Sequence, residues 1–296
     1  MSKFDSIDEW FNGTRVKTKK SKGAGGGYTA TSKRPVNSSP KTNTLKAVQS
    51  TNKKLPQVMV KISGASKGAD KAQAHVNYIG RKGEIEVENQ DGEKFKGEDQ
   101  KELLKAWAAM GMHREDKTGT RKEAFHFVFS MPSGTNPDGL KSAVRNLVNE
   151  EFAGHKYFMA QHLDTDSPHV HVLVAATDDR GARLNPRKTD LHNYRVQFVN
   201  KLAEQGIEAT ASRRVHRFKH KEGLTQAQIH KSAREGSEII RKQPTGESKK
   251  KIEEKHNEIK GQYREYNEKL PSTETQLKLE INKLIKSQEK GKEKTR

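Results

Sequence analysis

Three histidines within ten residues are the strongest chemical signal in the chain: His162, His169 and His171. His169 and His171 alternate with Val170 and Val172, so on a β-strand both imidazoles point to one face. His162 ends a preceding apolar stretch, and a short turn after it would bring its ring beside the other two. Three converging neutral imidazoles form an open site for a divalent metal ion.

A structural reading competes with this one, because a histidine on an apolar strand is often a half-buried residue without a ligand. A lone H-x-H pair also arises by chance. The third histidine favours the metal site, as do the nearby Asp164 and Asp166, which could orient the imidazole rings.

A metal site still requires a nucleophile, which is either activated water or a side-chain hydroxyl. Tyr78 is the best side-chain candidate, because Arg81 and Lys82 follow it and could hold a phosphate or favour the phenolate. It could equally be an ordinary residue at a helix end with two surface cations beside it. Ser130 ends the strongest predicted strand, where its hydroxyl could bind a phosphate or cap a turn.

Composition indicates a polyanionic partner. The 296 residues carry a net charge of +19, and 30% of them are hydrophobic. Nucleic acid is the usual partner of such a basic protein. The absence of cysteine excludes disulfides and thiolate metal sites. No apolar stretch approaches the ~20 residues that cross a bilayer, so we expect no membrane insertion and a cytoplasmic location.

The sequence predicts three regions. Residues 1–54 form a disordered basic N-terminal extension, residues 55–220 an ordered domain, and residues 221–296 a polar, Lys/Glu-rich helical tail that binds a partner or signals translocation. In the ordered domain, period-two and helical patterns alternate and end in the two histidine-bearing strands, which indicates an α+β fold around a largely antiparallel sheet. Strands are predicted over 58–62, 85–87 and 123–131, and helices over 69–79, 99–112, 136–152 and 190–205.

The order of three motifs resembles that of conjugative relaxases. They are Asn77-Tyr78-Ile79-Gly80-Arg81-Lys82-Gly83, Phe125-His126-Phe127-Val128-Phe129-Ser130-Met131-Pro132-Ser133-Gly134, and His162-Leu163-Asp164-Thr165-Asp166-Ser167-Pro168-His169-Val170-His171. The resemblance is closest to the single-tyrosine MobP type of the HUH endonuclease superfamily, which includes the plasmid mobilisation nickases and the T-DNA border endonuclease. It covers about 55–220, and the tyrosine lies farther from the N-terminus than is usual in that family.

The resemblance implies a reaction and a role for each residue. Tyr78 would attack a DNA phosphodiester at the nic site of an origin of transfer, forming a 5′-phosphotyrosyl intermediate that later rejoins the strand. His162, His169 and His171 would bind Mg²⁺ or Mn²⁺. Asp164, with Asp166 as the competing choice, would orient an imidazole or help deprotonate Tyr78. Ser130, Arg81 and Lys82 would contact DNA.

The resemblance also implies partners and leaves alternatives open. Expected partners are single-stranded or locally melted origin DNA, a relaxosome accessory protein and a type IV coupling protein, with transfer of the relaxase from the bacterial cytoplasm to the recipient cell. One alternative is a rolling-circle replication initiator, although in those proteins the histidine pair usually precedes the tyrosine. The other is a non-catalytic basic DNA-binding accessory protein with structural histidines.

Overall fold

The structure is a computed structural model, and it describes residues 7–12, 40–100, 121–219, 226–236, 238 and 244–293. These residues divide between two compact units. One contains the described residues of 54–211, and the other contains 7–11, 40–53 and the described residues from Ser212 onward. No helix in the described ranges is long and apolar enough to cross a membrane.

The first unit is built on a six-stranded sheet in which every strand pairing is antiparallel. The strands follow the order β1-β4-β6-β5-β2-β3 across the sheet. Their bounds are β1 Met59–Ser66, β2 Val87–Asn89, β3 Lys94–Phe95, β4 Ala124–Ser130, β5 His155–His162 and β6 His169–Asp178. With the helices that flank this sheet, the predicted α+β class and its largely antiparallel sheet are confirmed.

Helices cover both faces of this sheet. α3 (Ala69–Ile79) packs Ala72, Val76 and Ile79 against one face. α4 (Pro137–Glu151) and α5 (Lys188–Glu204) pack against the other face, where the core includes Phe127 and Phe129 of β4. The alternation of β4 therefore leaves His126, Val128 and Ser130 on the α3 side.

The sequence sets the start of α4 locally. Asn136 is its N-cap, and the side-chain oxygen of Asn136 accepts hydrogen bonds from the backbone N–H groups of Asp138 and Gly139. Pro137 occupies the first turn, where its missing N–H costs no helical hydrogen bond. The helices predicted over 69–79, 136–152 and 190–205 are confirmed within one or two residues at each end. The helix predicted over 99–112 lies almost entirely outside the described residues.

The second unit has its own apolar core. It contains α1 (Ile7–Asn12), α2 (Pro40–Asn52), α6 (Gln226–Glu235), α7 (Gly246–Lys269) and α8 (Thr275–Glu293). The buried members of its core are Ile7, Trp10, Phe11, Val48, Phe218, Ile259, Tyr263, Leu270, Leu277, Ile281, Leu284 and Ile285. Within it, Trp10 stacks on His216 at a ring-centroid distance of 4.1 Å.

This second core corrects two expectations. The expected disorder over 1–54 is wrong for Ile7–Asn12 and Pro40–Asn52, which are helical. Residues 13–39 lie outside the described part. The tail is helical as expected, but it is not a wholly solvated surface. The reason is that widely separated apolar residues, each too sparse to form a core alone, are buried together.

Candidate active site

The three predicted ligand histidines converge at one end of the sheet. His162 ends β5 and pairs directly with His169, which begins β6, and His171 follows on the same face. Their ring centroids lie 4.5 to 5.2 Å apart. One candidate ligand nitrogen from each ring lies within 4.8 Å of the others. The six-residue connection between β5 and β6 and the alternation of β6 are therefore sufficient to gather the three imidazoles.

Hydrogen bonds to backbone carbonyls fix which nitrogen of two of these rings carries the proton. His162 Nε2 donates to the carbonyl oxygen of Ile79 at 2.7 Å, which leaves the lone pair on Nδ1. His169 Nδ1 donates to the carbonyl oxygen of Ser167 at 3.0 Å, which leaves the lone pair on Nε2. His171 Nδ1 is buried and has no hydrogen-bond partner among the described residues. Backbone carbonyls holding the second nitrogen are the usual support of metal-binding histidines.

Burial also keeps two of these imidazoles in the form that can bind a metal. It lowers the pKa of His171 to about 3, with a further contribution from the neighbouring charges of His162 and His169. The pKa of His162 is also lowered, chiefly by burial. A neutral imidazole at neutral pH presents a lone pair without first losing a proton. The donor set thus fits a divalent ion that accepts nitrogen ligands.

Tyr78 lies beside this cluster at the end of α3. Its ring meets that of His171 edge to face, with centroids 6.0 Å apart, and 55% of the residue is exposed. The next residue, Ile79, supplies the carbonyl that holds His162. The C-terminus of one helix therefore places a solvent-accessible phenol and orients one of the three imidazoles.

Arg81 and Asp164 form an ion pair at the edge of the cluster. Arg81 Nη2 lies 2.5 Å from Asp164 Oδ2 and 3.4 Å from His162 Nδ1, and its guanidinium carbon lies 5.5 Å from the centroid of the Tyr78 ring. The hydrogen bond from Arg81 lowers the pKa of Asp164. In the described residues, Asp164 bonds Arg81 and no ligand imidazole, while Asp166 is exposed and bonds neither.

The backbone at Arg81 and Lys82 is unusual. Both have a positive φ, 47° and 56°, and Gly83 continues the left-handed turn with φ 99°. Non-glycine residues in this region cost about 1–2 kcal/mol each, and such strain concentrates at functional sites. The turn brings the Arg81 guanidinium to the cluster and leaves Lys82 exposed.

Ser130 is at the same end of the sheet. It pairs with His169 across β4 and β6 and is 6% exposed. Its hydroxyl lies 3.5 Å from the carbonyl oxygen of Met131, which is a weak contact. The hydroxyl is therefore close to the cluster and, among the described residues, makes only this weak hydrogen bond. Its predicted role in binding DNA stays a prediction.

Two further histidines, not singled out from the sequence, border the site. His75 stacks on His126 with ring centroids 3.5 Å apart and planes 11° apart, and the His75 ring lies 5.9 Å from that of Tyr78. His126 Nε2 lies 2.7 Å from the hydroxyl of Ser66. Burial lowers the pKa of both histidines to about 4. The signal was present, since His75 precedes Tyr78 by one helical turn and His126 alternates with phenylalanines.

Known proteins resemble this part of the chain. Residues 78–207 match the family model described as the nuclease domain of MobA/VirD2-like relaxases. The T-DNA border endonuclease VirD2 of Agrobacterium fabrum is 26% identical over 206 residues, which is 62% of this chain and 46% of that protein. The protein of the same name from Rhizobium rhizogenes is 25% identical over 204 residues, covering 62% and 47%.

The alignments thus span slightly less than half of the length of these two relatives. The family match begins at Tyr78 and includes the histidine cluster, Asp164 and Ser130. The domain around the cluster therefore resembles relaxase nuclease domains of the MobA/VirD2 type, as the three motifs predicted.

Proposed function

We propose that the chain nicks one strand of DNA at a specific site by transesterification, as a metal-dependent relaxase acting at an origin of transfer. The observation that carries the proposal is the exposed Tyr78 ring beside three clustered imidazoles, 6.0 Å from that of His171. The names of the relatives, T-DNA border endonucleases, support a DNA substrate.

In the proposed reaction, the phenolic oxygen of Tyr78 attacks the scissile phosphorus. The P–O bond to the 3′ oxygen breaks, and that oxygen leaves and takes up a proton, while the 5′ phosphate stays on Tyr78. One phosphodiester replaces another, so the 3′ hydroxyl of a strand end can reverse the step and rejoin the DNA. No external energy source is needed for either direction.

His162, His169 and His171 would hold the divalent cation, Mg²⁺ or Mn²⁺. When bound there, the cation would polarise the scissile phosphate and offset charge in the transition state. Nitrogen ligands suit Mn²⁺ better than Mg²⁺. The carbonyls of Ile79 and Ser167 keep two of the rings turned with one nitrogen unprotonated.

Arg81 and Asp164 have complementary roles in this proposal. The guanidinium of Arg81, next to Tyr78 and His162, would bind a non-bridging phosphate oxygen and favour the phenolate. Asp164 would hold Arg81 in this position, because the ion pair that lowers the pKa of Asp164 also makes it a weaker base. The proton of the exposed Tyr78 hydroxyl would then leave to solvent. Ser130 and Lys82 would contact the DNA backbone on either side.

The substrate would be single-stranded or locally melted, because a phosphodiester must approach both Tyr78 and the cluster closely. A relaxosome accessory protein that melts the site and a coupling protein that leads to a type IV secretion channel complete the proposal. The basic helical tail, with 16 Lys and Arg against 10 Asp and Glu over 241–296, is our candidate for the segment those partners contact.

The test is cleavage of a supercoiled plasmid that carries the origin, with Mn²⁺, followed by SDS and protease. We expect nicked circles with protein on the 5′ end from the wild type and none from Tyr78→Phe, which keeps the ring and removes the nucleophile. Nicking by Tyr78→Phe without an adduct would instead indicate a water-activated nuclease. Plasmid binding without nicking by the wild type would indicate an accessory DNA-binding protein.

A further inference from the structure

Large apolar side chains that are exposed to solvent concentrate around the histidine cluster. In the described residues of the two units, five such side chains are exposed by 43% or more: Met59, Tyr78, Leu163, Ile229 and Leu279. Tyr78 contacts the cluster, Leu163 directly follows His162, and Met59 lies in the same row of paired residues as His169. The proposed chemistry accounts for Tyr78 and leaves Met59 and Leu163 without a role.

Met59 belongs to a row of directly paired residues across the sheet. Met59 on β1 pairs with Ser130 on β4, and Ser130 pairs with His169 on β6. His169 pairs in turn with His162 on β5. Directly paired residues share a face of the sheet, so the Met59 side chain lies on the cluster side, two strands or about 10 Å from His169. Its exposed fraction is 43%.

Leu163 follows the end of β5, the strand that borders β6 on the side away from β4 and β1. It directly follows His162 at the end of β5, and 59% of the residue is exposed. The residues after it, from Asp164 to Asp166, are polar and exposed. Met59 and Leu163 are therefore two separate exposed apolar side chains, one on each side of His169 in the strand order.

Cationic side chains lie near both residues, unpaired within the described ranges beside Met59 and paired with a carboxylate beside Leu163. Lys61 is exposed two residues after Met59 on the same face of β1, and it pairs with Val128, which itself pairs with His171. Near Leu163, the neighbouring Asp164 holds the guanidinium of Arg81. A ligand with an anionic group between two apolar groups would complement this surface. An unpaired DNA strand has this pattern, with bases on either side of each phosphate.

We propose that Met59 and Leu163 are base-contacting residues that bracket the scissile phosphate. The base on one side of it lies against the Met59 thioether, and the base on the other side lies against Leu163. Thioether sulfur makes favourable contacts with aromatic rings, and either side chain gains from losing its contact with water. This inference rests on the proposed function, because it takes the histidine cluster as the position of the scissile phosphate.

The test couples each side chain to one nucleotide. Single-stranded oligonucleotides would cover the cleavage position mapped on the plasmid, each with one abasic nucleotide at a different position. Their dissociation constants would be measured by fluorescence anisotropy with Mn²⁺ in the Tyr78→Phe background, which prevents cleavage. We expect Met59→Ala and Leu163→Ala each to weaken binding of the intact oligonucleotide about threefold to tenfold.

The position of the effect decides the outcome. Each variant should bind as tightly as the parent protein when one particular nucleotide of the oligonucleotide is abasic. The nucleotides identified in this way for the two variants should flank the scissile bond. Met59→Leu, which keeps an apolar side chain, should bind nearly as tightly as the parent. An equal loss at every abasic position, or no loss at all, overturns the inference. Absence of a covalent adduct from the wild type would overturn the proposed function, while base coupling in the Tyr78→Phe series would still be measurable.

Discussion

The rings of Tyr78 and His171 meet edge to face at 6.0 Å, although one ends a helix and the other lies on the central strand β6. The same helix end supplies the Ile79 carbonyl that accepts a hydrogen bond from His162. Any shift of α3 would therefore move the candidate nucleophile and turn a candidate ligand together. Because one helix end positions both Tyr78 and His162, the tyrosine and the histidine cluster are better described as one site than as two independent ones.

Metal affinity should depend on the cluster histidines and not on histidine in general. We expect His171→Ala to weaken Mn²⁺ binding at least about 100-fold, since losing even an outer-shell partner costs 10- to 100-fold. Isothermal titration with Mn²⁺ measures this. His155→Gln is the matched control, because His155 is a buried histidine on β5 that bonds the Ala175 carbonyl instead. Equal losses in both variants would contradict the metal site.

Arg81 and Asp164 should affect metal binding in opposite directions. Arg81 Nη2 lies 3.4 Å from His162 Nδ1, the nitrogen that would bind the metal, and the carboxylate of Asp164 offsets the positive charge of the guanidinium there. Asp164→Asn should therefore weaken Mn²⁺ binding, and Arg81→Gln should strengthen it while slowing cleavage.

In the double variant, removing Arg81 should also remove the effect of Asp164→Asn on Mn²⁺ affinity. If Asp164→Asn weakens Mn²⁺ binding equally with and without Arg81, Asp164 acts on the site directly. A cleavage rate that follows the ionisation of Asp164 in the Arg81→Gln background would return the base role to Asp164.

Gly83 should tolerate alanine less well than another glycine of similar backbone conformation. A Cβ on Gly83 would lie 2.7 Å from the Cα of Gly97, whereas one on Gly92 would meet nothing within 4 Å. Both have a positive φ, 99° and 80°. Gly92→Ala should cost about 1–2 kcal/mol of unfolding free energy, and Gly83→Ala about 2–5 kcal/mol, because overpacking adds to the backbone strain. Chemical denaturation measures both, and equal costs would contradict the close approach.

Sequence periodicity was sufficient to predict α3, β4, β5 and β6, which hold the site. In contrast, the first strand continues to Ser66 beyond the predicted 58–62, and the second lies over Val87–Asn89 and not over 85–87. The histidine cluster followed from alternation on one strand and a short turn, both of which are local. The Arg81–Asp164 pair and the stack of His75 on His126 could not be predicted, since each joins residues from separate elements whose packing sets the contact. The burial of Trp10 was missed for the same reason, because its partners lie near the other end of the chain.

Acid should destabilise the fold before its carboxylates are protonated. Burial lowers the pKa of His75 and His126 from 6.5 to about 4, so between these values the unfolded chain binds more protons than the folded one. His75 faces His126, Tyr78 and His171, and His126 faces His75 and Ser66. Unfolding free energy should therefore fall as the pH drops from about 6.5 toward 4.

A comparison of denaturation at pH 7 and pH 5 in EDTA tests this. His126→Phe can keep a ring against His75 and should reduce the stability difference between the two pH values. Glu86→Gln should leave that difference unchanged, because the pKa of Glu86 is lowered from 4.5 and it titrates below this window. The same pH dependence in wild type and His126→Phe would count against the contribution of His126.

Trp10 should stabilise the second unit although it lies near the N-terminus. It is 4% exposed, stacks on His216 and meets Tyr263 edge to face at 5.5 Å. Truncating such a buried aromatic costs about 3–5 kcal/mol. We expect Trp10→Ala to accelerate amide hydrogen exchange in α7 and α8, whereas Lys46→Ala, an exposed change on α2, should not. Unchanged amide-exchange protection around Tyr263 in α7 of the Trp10→Ala variant would show that the N-terminal helix contributes little to this core.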